Sequence, residues 1–102
     1  MNHYSIYLSQ EWEKLELFAA VRNAGATLTG SSACGSGYYV QIDATPEQAD
    51  YIDRTRYTAD QDAYTPDEAW RAWKAGELTV HQMARWQERH GVYFDERGRT
   101  LC

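Results

Sequence analysis

Near the start of the chain, apolar and polar positions alternate with period two. In His3-Tyr4-Ser5-Ile6-Tyr7-Leu8 the residues Tyr4, Ile6 and Leu8 share one face, which predicts a strand over 3–8. The period then lengthens. Leu17, Phe18, Val21 and Ala24 form a helical stripe, with Glu11, Glu13 and Glu16 largely off it. A helix over 10–24 follows, with Ser9 as the expected N-cap and Gly25 where a C′ residue belongs. Ala26 to Ser31 returns to period two and predicts a Thr-rich strand. Ser31-Ser32-Ala33-Cys34-Gly35-Ser36-Gly37 reads as a turn, and Tyr38 to Asp43 as the returning strand. In that strand Tyr38, Val40 and Ile42 face one way, and Tyr39, Gln41 and Asp43 the other.

A second helix is expected from Thr45 to Arg54, with Ala49 and Ile52 on its buried edge. Residues 55–64 show no sustained period and read as a connector. Two further helices are expected at 66–75 and 80–90, closed by Gly76 and Gly91. Their apolar positions are Ala69, Trp70 and Trp73 in one and Val80, Met83, Ala84 and Trp86 in the other. Three helix starts carry the same signature: Thr45-Pro46-Glu47-Gln48, Thr65-Pro66-Asp67-Glu68 and Thr79-Val80-His81-Gln82. Each is a capping box, in which a Thr hydroxyl and a Gln or Glu side chain satisfy amides of the first turn. Asp95-Glu96-Arg97-Gly98 reads as a turn between Val92-Tyr93-Phe94 and Thr100-Leu101.

These elements make an α+β chain with β-α-β-β-α order in its first half and a helical hairpin in its second. The passage Ala20-Val21-Arg22-Asn23-Ala24-Gly25-Ala26-Thr27-Leu28 resembles the helix-to-strand passage of small ferredoxin-like and ACT-like domains. The likeness is one of topology and covers about half the chain. It departs from those families after the second helix, where a clear final strand is missing; Val92–Phe94 is the candidate for it. At 102 residues the expectation is one domain, divided as 1–54, connector 55–64 and hairpin 65–102.

Charge sharpens this picture. Residues 1–65 hold nine acids against four bases, a net −5, whereas residues 66–102 hold six of each. A free-standing nucleic-acid binder usually shows a basic face, and this chain as a whole does not. Its acids predict a partner with a basic surface instead. The contact set expected from sequence is Glu11, Glu13, Glu16, Asp43, Glu47, Asp50, Asp53, Asp60, Asp62 and Tyr39. Glu47, Asp50 and Asp53 are spaced by three, which clusters them on one side of a helix. A negative band of this kind could imitate the phosphates of a nucleic acid. Four Trp, eight Tyr and two Phe add aromatic area, which serves cores and interfaces alike.

Other chemistry is sparse. Cys34 and Cys102 show neither a CxxC nor metal-ligand spacing, no structural disulfide is expected, and Cys102 is expected to be exposed. A thiol in Cys34-Gly35-Ser36-Gly37 would need a base and an oxyanion site to act as a nucleophile. No such set is apparent, so binding rather than catalysis is expected, without metal or cofactor. The helices at 66–75 and 80–90 with Gly76-Glu77-Leu78 between them also outline a helix-turn-helix. On that alternative His81, Gln82, Arg85 and Arg89 would contact DNA, and Arg97 and Arg99 would grip phosphates. A small ligand-sensing domain is the third alternative. No apolar run is long enough to span a membrane and Met1–Ser5 lacks the features of a signal peptide, so cytoplasmic residence is the expectation. An open sheet edge would suit a homodimer.

In size, acidity and lack of catalytic motif, the chain resembles the small inhibitors of phages and mobile elements, of the anti-CRISPR and anti-restriction kind. That profile implies a phage protein that blocks a nucleic-acid-handling complex through protein–protein interaction.

Overall fold

A computed structural model describes residues 1–101; Cys102 lies outside the described residues. The protein is α+β, and the order β-α-β-β-α is present in its first half. The chain divides at Arg56/Tyr57 into two compact units rather than at a ten-residue connector.

The first unit contains β1 (Asn2–Leu8), α1 (Glu11–Ala24), β2 (Thr27–Cys34), β3 (Gly37–Ala44) and α2 (Pro46–Thr55). The sheet order is β1-β3-β2, with β3 antiparallel to both neighbours. β1 and β2 therefore run parallel with β3 inserted between them, the split arrangement of a ferredoxin-like half. Leu8, Val40, Ile42 and Ala44 from the sheet meet Leu17, Ala20 and Val21 of α1 and Ile52 of α2 in one buried cluster. The sheet thus packs α1 and α2 of its own unit against one face, and the alternation expected for β1 and β3 holds.

Three local details differ from the expectation. Gln10, not Ser9, occupies the N-cap of α1, and the Ser9 hydroxyl instead donates to Glu13 Oε1 at 3.1 Å. β2 runs on to Cys34, because pairing of Ser31, Ser32 and Ala33 with Val40, Tyr39 and Tyr38 overrides their weak strand propensity. The turn shrinks to Gly35-Ser36, with Gly35 at φ +57°, the Gly-first pattern of a tight hairpin.

The second unit holds α3 (Ala59–Asp62), α4 (Pro66–Lys74), α5 (Val80–His90), β4 (Tyr93–Phe94) and β5 (Thr100–Leu101). α3 lies inside the segment 55–64 expected to be a connector, and Tyr57 just before it is fully buried. β4 pairs only with β5, so Val92–Phe94 does not complete the main sheet. Ala69 and Ala72 of α4 and Met83 and Trp86 of α5 are buried together with Leu78. Val80 and Ala84, expected inside, are exposed, and Gln82 is buried in their place. All three expected capping boxes are formed; Thr45, Thr65 and Thr79 each accept from the N3 amide at 3.2 Å. Gly25, Gly76 and Gly91 close α1, α4 and α5 at positive φ. No helix among the described residues is long and apolar enough to cross a membrane.

Candidate functional site

The acids expected to form one continuous band divide into distinct environments. On α2, Glu47, Asp50 and Asp53 are all exposed. Ile52 and Ala49 hold the opposite edge of that helix against the core, so the three carboxylates point to solvent by helical periodicity. Asp50 meets Arg54 loosely, at 3.8 Å. Among the described residues neither Glu47 nor Asp53 has an ion-pair partner. On α1, Glu11 is exposed and Glu16 half-buried. Glu13 is only 6% exposed and accepts the Ser9 hydroxyl, so it is removed from any contact surface. Lys14 lies with its Nζ 4.6 Å from the centroid of the Tyr38 ring, a cation–π contact.

Asp43 and Tyr39 sit elsewhere. β3 alternates, and both residues fall on the face of the sheet opposite the helices. Asp43 Oδ1 lies 2.9 Å from His3 Nδ1 across the β1–β3 pair. Tyr39 is 40% exposed and packs its ring 5.2 Å from that of Tyr7. Sequence reasoning named Tyr39 but not Tyr7, whose place beside it depends on the register Tyr7↔Tyr39. The expected band therefore lacks Asp43 and Glu13 on its helical side.

Asp60 and Asp62 belong to the second unit. Asp60 is exposed, but Asp62 is committed internally. Arg89 Nε and Nη2 donate to its two oxygens at 2.7 and 3.3 Å, and the Tyr57 hydroxyl donates to Oδ1 at 2.9 Å. The Arg89 guanidinium holds the Asp62 carboxyl below its ordinary value, against the opposing effect of burial. The same bond raises the Arg89 guanidinium. His90 completes the group, with Nε2 2.8 Å from the Asp62 carbonyl oxygen and its ring stacked 4.4 Å from Trp86.

Three of the four side chains of the alternative DNA-reading set also make contacts within the protein. Arg89 is bound to Asp62, Arg85 pairs with Glu88 at 3.1 Å, and Gln82 is 1% exposed with its side chain closing the Thr79 box. His81 remains exposed on α5. Arg99 donates from Nε to Asp95 Oδ2 at 2.9 Å, and the Arg97 amide donates to the same carboxyl. The backbone amides of Arg99, first, and Arg97 hold the Asp95 carboxyl below its usual range. Trp86 is fully buried with its Nε1 donating to the Tyr64 carbonyl, whereas Trp70 and Trp73 line an open groove of about 530 Å³ with Val80, Met83 and Phe94. Cys34 is exposed at the end of β2. Among the described residues no three His, Cys, Asp or Glu side chains gather as a metal site.

No protein family, curated protein or solved structure matches the chain.

Proposed function

We propose that this protein is a non-enzymatic binding module that blocks or regulates a partner by laying the acidic side of α2, with Glu11 and Glu16 of α1, against a basic nucleic-acid-binding surface. The observation that carries this reading is the exposed row Glu47, Asp50 and Asp53, in which Glu47 and Asp53 have no cation of their own among the described residues. Uncompensated carboxylates on a rigid helix are available to a partner's Arg and Lys without first breaking internal pairs. Asp43, Glu13 and Asp62 are dropped from the contact set: Asp43 lies on the sheet face opposite α1 and α2, Glu13 is buried, and Asp62 is held by Arg89 and Tyr57. The role fits the anti-CRISPR and anti-restriction type of inhibitor, with the partner identified by its basic groove and the site of action in the cytoplasm.

The test is a pull-down from host-cell lysate at low and high salt, read by mass spectrometry, for the wild type and for the triple variant Glu47→Lys, Asp50→Lys, Asp53→Lys. Retention of one nucleic-acid-handling complex is expected at low salt, with release at high salt as screening shortens the Debye length. The variant should lose that retention, since like charges across an interface cost several kcal/mol and about 1.4 kcal/mol is tenfold in affinity. Equal retention by the variant would overturn the reading.

A further inference from the structure

We propose that β1 is a self-pairing edge, through which two copies of this chain join their three-stranded sheets into one of six. This stands apart from the acidic surface of α2, and either can fail without the other. β1 is the outer strand of the order β1-β3-β2, so among the described residues no strand lies on the other side of its backbone. Its pairing with β3 is unbroken from Asn2↔Ala44 to Leu8↔Tyr38. The opposite edge differs: β2 carries an irregularity between Leu28 and Gly30. Bulges, prolines and charges are the usual devices that keep an edge from pairing. β2 has one of them, and Asn2-His3-Tyr4-Ser5-Ile6-Tyr7-Leu8 has no bulge, no Pro, no Lys or Arg and no Asp or Glu.

The occupant is a second copy because the strand complements itself. An antiparallel two-fold centred on Ser5 pairs all seven residues, Asn2 with Leu8, His3 with Tyr7 and Tyr4 with Ile6 of the other copy. Opposed residues share a face, so this register keeps the helices of both copies on one side. It brings the half-buried Tyr4 and Ile6 of each copy against Ile6 and Tyr4 of the other. A slip of one residue would oppose Tyr4 to Ser5 and lose that match. Charge agrees: the chain carries a net −5, yet the strand holds no carboxylate, so two copies meet here without opposing acids.

The experiment is sedimentation velocity of the wild-type chain over a range of concentrations, with Ser5→Lys and Thr29→Lys alongside. Ser5 and Thr29 are both exposed, and far-UV circular dichroism checks that each variant is folded. A concentration-dependent dimer is expected for the wild type and for Thr29→Lys. Ser5→Lys sets two ammonium groups opposite each other on the axis and should weaken the dimer by about tenfold or more. A wild type that stays monomeric at every concentration would overturn the proposal. So would a dimer that Ser5→Lys leaves unchanged, because association would then run through another surface. Protection of the β1 amides from hydrogen exchange in a monomer, gained only when a captured partner is added, would assign the edge to that partner's strand and equally overturn it.

Discussion

At the scale of single residues, Asp62 and Gly98 carry the sharpest consequences. Asp62 accepts from Arg89 and from the buried Tyr57 hydroxyl, so it ties the short α3 to the C-terminal end of α5. Replacing it by Asn removes the charge from this set and should cost about 1–2 kcal/mol in urea unfolding. The pH dependence follows from the direction of its shift. Its folded carboxyl titrates below the ordinary 3.8, so its contribution is full above that value and fades as pH falls through the lower folded one. The gap between wild type and Asp62→Asn should therefore be constant at neutral pH and close in acid below pH 3.8; a gap that widens in acid would contradict this assignment. Gly98 combines φ +83° with a Trp70 ring so close that an added Cβ would overlap it. Gly98→Ala should lower stability by about 2 kcal/mol or more and shift Trp fluorescence. The Asp95–Gly98 turn was legible from residue type, but its contact with Trp70 was not, because the two residues meet only once the hairpin lies on α4.

At the scale of elements, helix starts were the most legible feature. A Thr followed at the third position by Gln or Glu satisfies two amides by local geometry alone, and this needs nothing from the rest of the fold. Thr65→Ala and Thr79→Ala should each cost about 1 kcal/mol, measured by chemical denaturation. Thr58-Ala59-Asp60-Gln61 has the same spacing, and Gln61 Oε1 does accept from the Thr58 amide at 3.1 Å. No sequence period marks this helix, because α3 has four residues, too few to show one. The apolar side of α5 was harder to read. Val80 looked like core but is 74% exposed, and Gln82 looked like a reader of bases but is buried as a cap. A polar side chain whose hydrogen bonds are met locally can be buried at little cost, and hydropathy alone does not register that. With Gln82, Arg85 and Arg89 engaged within the protein, no sequence-specific duplex DNA binding is expected in a fluorescence-anisotropy titration at low salt, and Arg85→Ala should change nothing there.

At the scale of the whole molecule, charge rather than any cleft carries the functional proposal. The triple lysine variant takes the net charge from −5 to +1. Its fold should survive. Lys at position 47 opposes the helix dipole, Lys at 53 favours it, and the Asp50–Arg54 contact is exposed and long, so the net stability change should stay within about 1 kcal/mol by thermal unfolding. What the sequence by itself determined was local: the order β-α-β-β-α, the capped helices, the alternation of β1 and β3, and the excess of acids in the first 65 residues. Each rests on periodicity, caps or counting, which act over a few residues. Tertiary structure decided which acids remain available. Glu13 went into the core edge, Asp43 to His3 on the far face of the sheet, and Asp62 to Arg89, 27 positions away. Tertiary structure also decided that the chain makes two units and that Val92–Phe94 joins β5 instead of the main sheet. Pairing and burial depend on groups distant in sequence, and no local pattern records which of them will meet.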